Sequence, residues 1–144
     1  MVSLARAGSV DRMSSQGSEG SVYDAVGGQS FFVELVDGFY DGVSTDPLLR
    51  PMYPEDLSDA RRHLAGFLTQ YWGGPSTYSD ERGHPRLRMR HAPFVIGEAE
   101  RDAWLHHMLG SLDVVATTRG TPVEAVARIR AYLADVADFL VNSR

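Results

Sequence analysis

An all-α fold is predicted by three observations. Apolar residues recur at spacings of three and four along four segments, no segment alternates with a period of two for long, and the breaks between segments are built from Gly and Pro. The chain has 144 residues, which fits one domain, and 43% of them are hydrophobic, enough to build a core.

The elements follow in order. Residues 1–20 are rich in Gly, Ser and charge, and they read as a disordered N-terminal tail. Order is expected to begin at Val22, with a short helical turn stopped by Gly27 and Gly28. Ser30 then reads as an N-cap, followed by a stripe of Phe31, Phe32, Leu35, Val36, Phe39, Tyr40 and Val43 that ends at Asp46-Pro47. Pro51 and Pro54 keep the next segment irregular around Met52 and Tyr53. A second helix is expected from Asp56 or Leu57 to Trp72, with Ala60, Leu64, Phe67, Leu68 and Tyr71 on one face. Residues 73–84 read as a loop, and 85–91 as a short helix ended by Ala92-Pro93.

A third long helix should span 98–118, with Trp104, Leu105, Met108, Leu109, Leu112 and Val115 inward and Gly120 as its stop. Thr121-Pro122-Val123-Glu124 reads as a capping box that opens the last helix. Its inward face is expected to carry Val123, Val126, Ala127, Arg130, Leu133, Val136, Ala137 and Leu140.

Composition excludes several chemistries. With no cysteine there is no disulfide, thiolate nucleophile, iron–sulfur cluster or thiolate-ligated haem. All fourteen basic residues are arginine, so no Schiff-base or phosphate-loop lysine exists. A net charge of −5 argues against a general nucleic-acid binder. No run approaches the roughly 20 apolar residues of a membrane helix, and the N-terminus lacks a signal-peptide core. A soluble, cytoplasmic protein is the expectation.

The five histidines do not gather into a metal cluster by spacing. His106 and His107 are adjacent, so on a helix they point about 100° apart; one is expected to be exposed and the other partly packed. His84 and His91 are seven apart, about two turns or ~10.5 Å on a helix, and make a poor chelate. A single axial histidine remains open. His91 suits it best: Met89, Ala92 and Phe94 can line it, and Arg86, Arg88 and Arg90 place cations beside it. The alternative is a histidine that caps a helix end beside solvated arginines. Tyr40, Tyr53, Tyr71 and Trp104 lie among core-type residues, either as buried aromatics bonded to backbone or as donors aimed into one cavity.

Several stretches, taken together and in order, carry a resemblance. They are Tyr23 to Gly28, Phe39-Tyr40, Tyr53-Pro54-Glu55-Asp56, Gln70 to Pro75, Gly83 to Phe94, and Glu100 to Leu105. From residue 21 onward the sequence resembles the truncated haemoglobins of group II, the branch best known from actinobacteria. The resemblance implies a two-over-two helical sandwich around one haem b (iron protoporphyrin IX), formed by residues 21–144. His91 matches the proximal iron ligand, and Tyr40, Tyr53 and Trp104 match the distal ligand-stabilising donors. Ala60 falls where many globins carry a distal histidine. Leu64, Phe67 and Leu68 match apolar positions on the haem face; Met89 and Phe94 complete the lining, and Arg90 and Tyr71 fall within reach of a propionate. His63 stands where relatives often carry Arg or Lys, a departure that leaves that propionate contact in doubt.

The implied function is tight binding of O2 and other diatomic ligands through a Tyr/Tyr/Trp pocket, serving redox chemistry or detoxification of reactive oxygen or nitrogen species. CO, NO and peroxide are further expected ligands, with an unidentified reductase as partner and a homodimer left open. Peroxidase-like and nitric oxide dioxygenase activities are the enzymatic versions. The alternatives are an oxygen carrier or store, and a haem-based ligand sensor without turnover.

Overall fold

The computed structural model describes residues 21–83, 91 and 94–143. Among these residues every regular element is helical. Helix α1 spans Val22–Ala25, α2 Gln29–Ser44, α3 Ser58–Tyr71, α4 Thr77–Arg82, α5 Glu98–Arg119 and α6 Val123–Phe139, with a 3-10 turn at Arg50–Met52. The tail reading of residues 1–20 and most of the short helix read at 85–91 lie outside the described residues; His91 itself is helical.

Four long helices form two pairs, α2 with α3 and α5 with α6, and α2 lies across α5. The seven-residue stripe read on α2 is buried throughout. What lets α2 settle onto α5 is a pair of glycines one turn apart. A Cβ at Gly38 would collide with the Ser111 side chain, and one at Gly42 with the His107 ring. The Ser111 hydroxyl donates to the Leu35 carbonyl at 2.7 Å, so the one hydroxyl buried in this crossing is satisfied. His107 Nε2 lies 2.7 Å from the Asp46 carboxylate, which ties α5 to the chain leaving α2 and holds the Asp46 carboxyl below its ordinary range. His106 is exposed, as its adjacency to His107 predicts.

Arginines fasten the helices from outside. Arg61 of α3 reaches Asp37 at 3.1 Å and Asp41 at 3.0 Å on α2. Arg119 of α5 reaches Glu34 at 2.8 Å and the Ser30 hydroxyl at 2.8 Å. Arg101 bridges Asp102 and Asp138, joining α5 to α6.

The structure corrects four expectations. Ser30 is not an N-cap: α2 begins at Gln29 after Gly28, and the Ser30 hydroxyl accepts from Arg119 instead. The loop read over 73–84 contains α4, which Gln70 secures by accepting the Ser79 N–H and donating to its hydroxyl. The capping box at Thr121 does not form. Gly120 ends α5 in the left-handed region (φ 64°), the Thr121 N–H bonds back to Ala116, and α6 starts only after Pro122. The inward face of α6 is also rotated: Ala125, Ile129 and Tyr132 are buried, whereas Val123 is 77% exposed, Ala127 is exposed and Arg130 pairs with Asp113 on the surface.

Gly38→Ala should cost about 1–3 kcal/mol of stability by overpacking the α2–α5 crossing. Denaturant unfolding measures this, and Ser111→Ala in the same chain should recover part of the loss.

Candidate functional site

Helix α3 carries two apolar faces. Ala65, Leu68 and Thr69 are buried. Ala60, Leu64 and Phe67 are only partly buried, because they line a cavity of about 250 Å³. Helix α6 faces α3 across it with Tyr132, Leu133 and Val136. The backbones of α3 and α6 approach each other little. They meet through the Tyr71 and Tyr132 rings, stacked at 4.0 Å.

The polar groups named here come from five separate segments. Tyr40 on α2, Tyr53 after the 3-10 turn, Trp104 on α5, and the imidazoles of His63 and His91 all line it. The Tyr40 and Tyr53 rings meet edge to face at 5.5 Å, and Phe39 packs edge-on against both Tyr40 at 4.8 Å and Trp104 at 5.4 Å. Phe39 therefore spaces the Tyr40 ring from the indole on a buried apolar wedge.

Tyr53 sits on non-helical backbone, and Arg50 holds it there. Its guanidinium donates to the carbonyls of Tyr53 at 3.2 Å, Pro54 at 2.9 Å and Glu55 at 2.8 Å. The planar guanidinium serves all three carbonyls from one fixed fork of donors.

Burial governs the phenols. Tyr53 is pushed up from 10.0 to about 12 by desolvation, partly opposed by the Trp104 indole beside it. Tyr40 is held above the ordinary phenol range by desolvation and by Tyr53; Arg61, 5.8 Å above its ring, pulls the other way. Both hydroxyls therefore stay protonated, as donors, at neutral pH.

Of the residues singled out from the sequence, Tyr40, Tyr53, Ala60, His63, Leu64, Phe67, Leu68, His91 and Trp104 come together here. Met89 and Arg90 lie outside the described residues. Phe94 is 37% exposed and is not among the residues that line the cavity. Tyr71 stands behind the lining, stacked on Tyr132. Tyr78 and Tyr132 line the cavity but were not read as site residues. Tyr132 was legible from the Ala125, Ile129, Tyr132 spacing of four and three. Tyr78 was masked by the Gly- and Pro-rich context of α4.

The cavity fits a haem by its chemistry. An imidazole for iron, phenol and indole donors for a polar ligand, and an aliphatic and aromatic lining for the macrocycle converge in one place. Among the described residues no helix is long and apolar enough to cross a membrane.

The raised phenols set an alkaline limit. The unfolded chain loses these protons near pH 10 and the folded one later, so the stability they contribute is intact below pH 10 and falls as pH rises through about 12. Absorbance titration at 295 nm should show three late-ionising tyrosines, Tyr132 being the third, with one fewer in each of Tyr40→Phe and Tyr53→Phe, and unfolding between those limits.

Comparison with known proteins agrees with this geometry. The model of the bacterial-like globin family matches residues 21–137. The group 2 truncated haemoglobin YjbI of Bacillus subtilis is 47% identical over 93 residues, covering 65% of this chain and 70% of that one. The solved haemoglobin of Chloroflexus aurantiacus is 48% identical with a TM-score of 0.80, covering 85% of this chain and 98% of that one. The structure of a truncated oxygen-avid haemoglobin from Bacillus subtilis is 41% identical with a TM-score of 0.77, covering 85% and 99%. Globins hold haem and bind small gaseous ligands such as O2. With its helix pairs, its cavity and these relatives, the chain belongs to the bacterial-like globin family as a truncated haemoglobin of group II.

Proposed function

We propose that residues 21–144 form one haem b domain that holds O2 and related diatomic ligands tightly and uses them in redox chemistry against reactive oxygen or nitrogen species. The observation that carries this reading is the meeting of two protonated phenols and an indole with His91 in one apolar cavity. Haem supplies an iron with a position open to a diatomic ligand. His91 is the residue that would hold that iron, and His63, half-buried at the lining, would lie toward the polar edge of the macrocycle. Arg90 would serve the same edge.

Tyr40, Tyr53 and Trp104 would donate hydrogen bonds to the partly negative end of a ligand such as O2. Each is worth about 1–2 kcal/mol, and 1.4 kcal/mol is about ten-fold in a rate or constant. Three donors acting together slow release by orders of magnitude, which suits a protein that retains its ligand for reaction and disfavours a carrier or store. The relative described as oxygen-avid supports the same direction. Peroxidase-like turnover and nitric oxide dioxygenation both follow from this pocket, and either needs an external reductase. A cytoplasmic setting, where such reductases work, completes the reading.

Absorption spectra test the cofactor. The ferric and dithionite-reduced protein should show a strong haem band that shifts with CO and is lost or altered in His91→Gly; a colourless folded protein that refuses haemin overturns the proposal. Stopped-flow measurement tests the donors: O2 dissociation should accelerate about ten-fold in Trp104→Phe, and an unchanged rate removes the indole from the mechanism.

A further inference from the structure

The segment just after His91 is held by residues that lie far away in sequence. The Phe94 N–H donates to the His91 carbonyl at 3.0 Å, closing a turn on the histidine itself. The Phe94 carbonyl accepts from Asn142 Nδ2 at 2.9 Å, and the Ile96 N–H donates to Asn142 Oδ1 at 2.8 Å. The backbone completes the clasp: the N–H groups of Asn142 and Ser143 both donate to the Ile96 carbonyl, at 2.8 and 3.1 Å. Gly97 permits this approach, since a Cβ there would press on the Ser143 carbonyl at 3.2 Å. Ile96 is buried beneath the clasp, and with His91, Trp104 and Leu140 it lines a second, small cavity of about 40 Å³.

Asn142 is itself exposed, so burial does not explain its bonds. Its side chain spends one donor and one acceptor on two backbone groups of a single loop. A side-chain amide offers both from two separate atoms, one for each backbone group. Aspartate would keep the acceptor for Ile96 but set a second oxygen against the Phe94 carbonyl, and alanine would remove both bonds.

From this geometry we infer that Asn142 is a positioning residue for His91, fixing the loop 94–96 so that the imidazole is presented to iron in one orientation. This rests on the reading of His91 as the iron ligand. The segment beyond α6 thereby becomes part of the proximal side of the site, although among its described side chains Leu140 alone lines the cavity. A ligand histidine is oriented by the contacts around it, and loosening those contacts changes both the metal–imidazole bond and retention of the metal group.

Two readouts on the haem-loaded protein test this. Resonance Raman of the ferrous, ligand-free form reads the iron–histidine stretch, and transfer of haemin to excess apomyoglobin reads its retention. Asn142→Ala should shift or broaden the stretch and speed haemin loss roughly ten-fold, as expected for two lost hydrogen bonds. Asn142→Asp, nearly isosteric and able to fold where alanine fails, should give an intermediate shift. Arg130→Ala, which breaks the surface pair with Asp113 between α6 and α5, should leave the stretch unmoved and serves as the control for general destabilisation. An unchanged stretch and unchanged haemin loss in both Asn142 variants, beside a wild-type band that His91→Gly abolishes, overturns the inference alone. A wild type that binds haem but shows no iron–histidine band overturns the reading of His91, and the inference with it.

Discussion

The close crossing of α2 on α5 is the constraint on which the other contacts depend. It exists because Gly38 and Gly42 present bare backbone where Ser111 and His107 stand. Only with the two helix axes this near can Phe39 lie between Tyr40 and Trp104 and touch both. The spacing of the cavity's donors is therefore set by two absent side chains. The same crossing buries Tyr40 to 4% exposure, and that burial keeps its proton in place.

Around this crossing the molecule separates what must be tight from what must be open. Arginine pairs bind α3 and α5 to α2, and α5 to α6. α3 and α6 are joined instead by aromatic contacts at one end, Tyr71 on Tyr132 and Arg128 over the Trp72 ring, and the cavity lies between those two helices. Their aromatic stack closes one end and leaves the remainder to apolar walls. A sandwich of two fully packed pairs would have no such space; here the second contact is withheld, and the space becomes the site.

The fold was largely legible because period and breakers agree along the chain. The α2 stripe is buried residue for residue, and the end of α5 at Gly120 follows from a glycine that accepts φ 64°. Two of the misread caps failed because other partners took their groups, one distant and one in the preceding helix. Ser30 looks like a cap until Arg119, 89 residues on, claims its hydroxyl. Thr121 looks like a cap until the end of α5 takes its N–H. Most of the α3 stripe, Ala60, Leu64, Phe67 and Leu68, lines the cavity, and periodicity cannot distinguish a cavity wall from core. For the site, the resemblance named the residues, and the cavity brings nine of them together. Tyr132 and Asn142 escaped because one sits on a helix whose phase was misjudged and the other acts through its bonds to a loop 46 and 48 residues earlier.

A chain without lysine has a frame whose cations do not discharge. Lysine begins to lose its proton near pH 10.4, whereas arginine keeps its charge beyond pH 12. The Arg61, Arg101 and Arg119 fastenings consequently persist through the range in which the cavity phenols ionise. Scaffold and pocket thus answer to different chemistry. In strong base the interior should be the first part to fail, while the belts around it still hold.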